Sequence, residues 1–202
     1  MGMASLAALA ELLPGPGEWD EANYHFISER GRLVELSDGN IEVLPVPTEY
    51  HQLLAMRLAF ALHAYAETHQ LGEVRFAPLP VRLWPGKIRE PDIMFMSNAH
   101  LDRIGKYWGV PDLAVEIVSE GGEIHDKRIK RSEYAQAGIG EYWIVDPVAQ
   151  TIELLTLNNE TGSYNPGTLL TSNDTLASPM LPGFSLSLAQ LFAPARAATP
   201  SK

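Results

Sequence analysis

The chain has 202 residues, of which 46% are hydrophobic and 20% charged, with a net charge of −10 and no cysteine. That length is enough for one domain with a substantial core, and the absence of cysteine excludes disulfide frameworks and thiolate metal sites while being compatible with a reducing compartment. The acidity argues against a protein that coats nucleic acid by neutralising phosphates, although residues 75–131 carry ten of the fifteen Lys and Arg against eight of the twenty-five acids, which leaves room for a local basic site. No run approaches the roughly 18 consecutive apolar residues of a membrane span. The N-terminal MGMASLAALAELLPGPG lacks the basic lead-in of a signal peptide, so the chain is expected to be cytoplasmic and free of the membrane.

In chain order, Ser5–Leu13 predicts a short peripheral helix, ended by Pro14-Gly15-Pro16-Gly17. Residues 32–36 and 41–44 flank Ser37-Asp38-Gly39-Asn40 and predict a hairpin, because Gly and Asn tolerate the positive φ of a tight turn. From Glu49 to Gln70, Leu53, Leu54, Met56, Leu58, Phe60, Ala61, Leu62 and Tyr65 recur at helical spacing without Pro or Gly, and Gly72 is expected to stop this long helix. Strands are predicted over 74–76 and 81–84, with Pro85-Gly86 as a turn, then from Asp92 through Met96, with Pro91 marking where the strand begins. A loop over 97–111, helical around 99–104, precedes a strand over 113–118. Residues 123–137 predict a helix with a charged face closed by Gly138, and 141–146 with 151–157 a second hairpin. The tail ends in an apolar run from Leu181 to Phe192. The sum is an α/β fold: a mixed sheet with a few helices packed on it, read as a peripheral segment over 1–23, one domain over 24–192 and a flexible tail over 193–202.

Two carboxylates sit in apolar strands. Asp92 opens Ile93-Met94-Phe95-Met96, and Glu116 lies inside Leu113-Ala114-Val115-Glu116-Ile117-Val118. Alone, Asp92 caps a turn or pairs with Arg89, and Glu116 faces solvent from an edge strand. If the two strands are neighbours the carboxylates can converge, and two like charges in apolar surroundings need a proton or a cation between them. Magnesium, with manganese as a substitute, takes such oxygen ligands and suits phosphodiester hydrolysis. A positive group to stabilise the developing charge is available downstream, where Asp126, Lys130 and Tyr134 share one helical face; Lys130 is the choice, set against a solvated face of i,i+4 pairs.

EPD at 90–92, VEIVS at 115–119, Asp126, Lys130 and Tyr134 at helical spacing, and AGIGEYWIVDP at 137–147 resemble the restriction-endonuclease family abundant in cyanobacteria, within the PD-(D/E)XK nuclease superfamily. VELSDGNIEVLPVPTEYHQ, FAPLPVRLWPG and SPMLPGFSL extend the resemblance over residues 24–192. It implies a restriction-endonuclease-like core with an N-terminal hairpin extension, and a magnesium-dependent endonuclease acting on DNA. Asp92 and Glu116 are then metal ligands, with the Ile117 carbonyl a third. The superfamily's lysine normally lies two residues beyond the second acid, where this chain has Val118, so its role passes to Lys130. Glu35 and His51 also match family positions as auxiliary residues. A surface strand position competes for Glu35, and helix-start capping or packing competes for His51. The chain departs from the resemblance at Ser119-Glu120-Gly121-Gly122, where relatives have Ser-Pro.

A non-enzymatic nucleic-acid- or protein-binding module on the same fold is the rival reading. A histidine-based metalloenzyme is disfavoured by spacing, since His51, His63 and His69 do not provide the i,i+4 pair of a helical zinc site, and ordinary surface histidines explain them better. A two-fold homodimer is expected for cutting both strands of a duplex. Tyr142 and Trp143 either contribute to its interface or belong to the core.

Overall fold

The computed structural model describes residues 13–105, 107–119 and 125–194, the side chains of His125 and Asp126 excepted. The helix expected over 5–13 and the loop at 120–124 therefore lie outside the described residues almost entirely. Helix α1 (Glu21–Ser28) leads into the hairpin β1 (Val34–Ser37) and β2 (Asn40–Val43). The positive φ of the turn falls on Gly39, as expected, and on Asp38 rather than Asn40, which already belongs to β2. Helix α1 has no counterpart among the predicted elements. It buries only Tyr24, so its apolar pattern is faint, and it is held at its start by a capping box between Asp20 and Asn23.

Helix α2 (Glu49–Thr68) is capped by the Thr48 hydroxyl and buries Leu54, Leu58, Leu62 and Ala66, one residue every four, along a single stripe. Met56 and Phe60 face solvent instead. Gly72 does not terminate this helix. It opens β3 (Gly72–Phe76), where an added Cβ would stand 2.1 Å from the Met96 carbonyl oxygen of the neighbouring strand.

Strand β4 (Val81–Trp84) turns through Pro85-Gly86 into β5 (Lys87–Arg89), a strand absent from the sequence-based expectation. The next strand, β6 (Ile93–Ser97), begins one residue after Asp92, which lies at its mouth. A 3-10 turn (Asn98–Arg103) leads to β7 (Leu113–Ile117). The predicted helix at 123–137 is a π-helical segment (His125–Lys130) continuing as α3 (Arg131–Ala137), with Gly138 left-handed at its end. Strands β8 (Glu141–Asp146) and β9 (Thr151–Asn158) form the second hairpin. The tail contains β10 (Ser163–Tyr164), β11 (Thr168–Thr171), β12 (Thr175–Ala177), β13 (Ser185–Ser187) and α4 (Leu188–Leu191), none of which the polar composition announced.

The strands form a seven-stranded sheet, with β10-β9-β8-β7-β6-β3 in order and β11 added on β9, a four-stranded sheet ordered β2-β1-β5-β4, and a two-stranded pair of β12 with β13. Among the described residues, β7 and β8 are the only paired strands that run parallel, and the crossover between them carries the π-helical segment and α3. Helix α2 packs on one face of the large sheet over Ile93, Phe95, Val115, Trp143 and Val145. Helix α3 packs on the other, over Met94, Ala114, Tyr142 and Ile144. Strand β8 is thus apolar on both sides, and Tyr142 and Trp143 are core residues without exposed surface, which removes them as candidates for an interface. No helix among the described residues is long and apolar enough to cross a membrane.

Candidate active site

The β6–β7 ladder decides where the two acids go. Ile93 pairs with Val115 and Met94 with Ala114, so one step further Asp92 stands opposite Glu116. Cross-strand partners share a face, with Cβ atoms about 4.5–5.5 Å apart. Both carboxylates therefore belong to the face covered by α3, at the open end of the ladder, and both line a cavity of about 570 Å³ together with His51, Ile117, Ser119 and Lys130. Glu116 is buried rather than turned to solvent from an edge. Arg89 is not the partner of Asp92. Asp92 instead accepts a 2.7 Å hydrogen bond from the Ile117 backbone N–H through Oδ2, and His51 Nε2 stands 3.2 Å from the same oxygen. His51 combines two roles weighed as alternatives: its backbone N–H is capped by Thr48 in the first turn of α2, while its ring reaches Asp92.

Glu116 Oε1 receives the Tyr134 hydroxyl at 2.5 Å and the Lys130 ammonium at 2.9 Å. Burial, then the negative charge of Glu116, pushes the Tyr134 phenol well above its ordinary pKa, so it stays a donor. Lys130 is the last residue of the π-helical segment, a wider winding that recurs at functional sites. Its ammonium also lies 3.4 Å from Glu35 Oε1. Glu35 is fully buried, not a surface position; its Oε1 accepts the Glu90 backbone N–H and its Oε2 accepts Arg89. Burial pushes the Glu35 carboxyl up, but Lys130, Arg89 and that backbone donor outweigh it and hold it below the usual range. Asp126, the remaining member of the predicted helical face, has no described side chain.

A family model for Uma2, described as "Putative restriction endonuclease", matches residues 19–189. The chain belongs to that family. In line with this, the fold resembles the crystal structure of a putative nuclease belonging to DUF820 from Anabaena variabilis, with a TM-score of 0.67 and 16% identity over 79% of this chain and 89% of that one. No curated protein matches. The architecture of this Uma2 chain is therefore restriction-endonuclease-like, as its motifs imply.

Sequence reasoning singled out five residues of this Uma2 chain for their side chains; Asp92, Glu116, Lys130 and His51 line one cavity, and Glu35 stands behind Lys130 without lining that cavity. The same reasoning missed the charged layer behind them. Arg89 is fully buried, donating from Nε and Nη2 to Glu133 at 2.7 and 2.9 Å and from Nη1 to Glu35 and Glu42. Lys87, also buried, donates to Glu133, Ser37 and Asp38. Glu90 lines the cavity and accepts the Tyr24 hydroxyl at 2.9 Å. The signal was the alternation Lys87, Arg89 against Glu35, Ser37. Leu36 pairs with Ile88 and Ser37 with Lys87, so Arg89 falls opposite Glu35, a relation visible only once 87–89 is recognised as a strand.

Proposed function

We propose that this chain is a metal-dependent endonuclease that hydrolyses phosphodiester bonds in DNA. The observation that carries the reading is that Asp92 and Glu116, each one residue beyond the Ile93–Val115 pair that ends the β6–β7 ladder, line one cavity with the Lys130 ammonium on Glu116. Among the described residues there is no group of three or more His, Cys, Asp or Glu arranged to hold a metal ion. In this reading the protein supplies the two carboxylates and the Ile117 carbonyl, all three residues lining the cavity. That sparse, all-oxygen set fits magnesium, which retains waters and takes one or two carboxylates plus phosphate, and manganese by the same chemistry. When bound, the ion would polarise a phosphoryl oxygen and make its water a stronger nucleophile.

The chain's own groups do the rest. Ile117 N–H and His51 orient Asp92, and Tyr134 holds one oxygen of Glu116. Lys130 sets a buried positive charge where the phosphoryl group gains negative charge or where the attacking water must be oriented. Cutting both strands of a duplex favours a two-fold homodimer, and a cytoplasmic location fits a DNA substrate; light scattering tests the first. The decisive experiment is Asp92→Ala. Metal-dependent cleavage of a DNA substrate should disappear while the far-ultraviolet circular dichroism stays that of the parent. A variant that cuts as fast as the parent refutes the assignment. Calorimetry showing no uptake of magnesium or manganese, with or without a duplex, would move the protein to the non-enzymatic binding reading.

A further inference from the structure

We infer that Arg89 is a positioning residue that fixes Lys130 from two directions at once. It does not line the cavity. Its guanidinium instead closes a ring: Nη1 donates to Glu35 Oε2 at 2.8 Å, Glu35 Oε1 lies 3.4 Å from Lys130 Nζ, and three residues along the chain Glu133 accepts Nε and Nη2 of the same Arg89. One arm of the ring holds the ammonium and the other holds the turn of helix from which it projects. Lys87 braces the second arm with a 2.7 Å bond to Glu133 and ties it to Ser37 and Asp38 of the hairpin.

Stability alone is a weak reason for this arrangement. A buried ion pair is often replaced by apolar side chains at no cost, whereas geometry that depends on a planar fork is lost even when arginine becomes lysine. Arg89 has no exposed surface, and three carboxylates (Glu35, Glu42 and Glu133) accept from it. A fully buried guanidinium thus holds two of the groups that set the place of Lys130, Glu35 beside its ammonium and Glu133 on its helix, while Glu116 holds the ammonium from the cavity side. The inference rests on the nuclease reading for what Lys130 does, not for how Lys130 is held.

Arg89→Lys tests it, because the charge survives and the fork does not. In the metal-free protein, acetylation by acetic anhydride, followed by mass spectrometry, should label Lys130 faster relative to Lys127, a neighbour whose side chain is already 42% exposed. In the metal-loaded protein, kcat should fall by about 10–100-fold, the usual effect of removing a supporting partner behind an active group. KM for DNA should not change, since Arg89 does not line the cavity. A variant that melts at lower temperature yet keeps the parental labelling ratio and kcat overturns the inference, as does a loss confined to KM. Should Arg89→Lys not fold, Glu133→Gln, which opens only the helical arm, takes the same two measurements. A parent chain that cuts no DNA with magnesium or manganese ends the nuclease reading and leaves the labelling ratio to decide for or against Arg89.

Discussion

Lys130 stands between two buried carboxylates, Glu35 and Glu116, and this makes it a competitor for any cation that approaches Glu116. Replacing it with an uncharged residue of similar length removes the competitor and leaves two acids facing each other, a costly arrangement in a buried site. Lys130→Met should therefore melt well below the parent in chelator and recover more of its stability than the parent does on adding magnesium, because a ligand that binds only the folded state stabilises it by mass action. Cleavage should be lost at the same time. Parallel melting curves with and without the metal check both halves of the expectation. Tyr134 plays the complementary part. Its hydroxyl donates to Glu116 and is kept protonated by burial and by that carboxylate's charge. Tyr134→Phe keeps the ring, which packs edge-on against Tyr142, and deletes one hydrogen bond to an ionised group, so urea denaturation should report a loss of about 1.5–3 kcal/mol.

At the level of elements, the functional geometry comes from joining the two sheets. The small sheet presents Glu35 on β1 and Lys87 and Arg89 on β5, while α3 presents Glu133, and the ion pairs between them draw the hairpin against the helix that follows Lys130. Burial pushes the Glu133 carboxyl up, but the hydrogen bonds and charges of Arg89 and Lys87 more than reverse this and hold it below its ordinary value. A depressed carboxyl contributes stability that is present above its unfolded pKa of about 4.3 and lost as the pH falls through the lower folded value. Comparing Glu133→Gln with the parent, the difference in stability should be large at pH 7 and shrink below about pH 4.3, the range where the parent's carboxyl takes up its proton. A difference that stays constant across this range would mean that the ionised carboxylate is not what joins the elements. The sequence exposed the parts of this arrangement whose pattern is periodic or punctuated: α2 through its four-residue stripe, the hairpin through Asp38-Gly39, α3 through Gly138. Strand β5 escaped because its three residues, Lys87, Ile88 and Arg89, look solvent-facing until the buried acids opposite them are known. Asp92 and Glu116 were legible because acids in apolar strands are conspicuous. Glu35 and His51 were reached only by resemblance, since an acid in a short hairpin and a histidine in a first helical turn carry no signal of their own.

On the scale of the whole chain, the tail is where composition misled most. Residues 159–175 are rich in Asn, Thr, Gly and Ser and carry no periodicity, yet they supply strands added to the large sheet. The apolar run that follows closes the core beneath α2. Leu176, Leu181, Phe184, Leu188, Leu191 and Phe192 are all under 5% exposed and belong to the same cluster as Leu54, Leu58 and Leu62. The closure is also anchored by a buried acid. Glu141, at the start of β8, accepts Trp143 Nε1 through one oxygen and the Ser178 hydroxyl and Met180 N–H through the other. A chain ending at Asp174 would lose those six side chains, each contributing about 1.5–3 kcal/mol through burial. The sum, on the order of 9–18 kcal/mol, is comparable with the roughly 5–15 kcal/mol by which natural domains are stable. It would also leave Glu141 without two of its donors beside the emptied core. The truncated chain should show no cooperative thermal transition, whereas Phe184→Ala in the full chain should keep one, at a cost of about 3–5 kcal/mol. A sharp transition near the parental temperature in the truncated chain would show that the segment only rests on a core already complete without it.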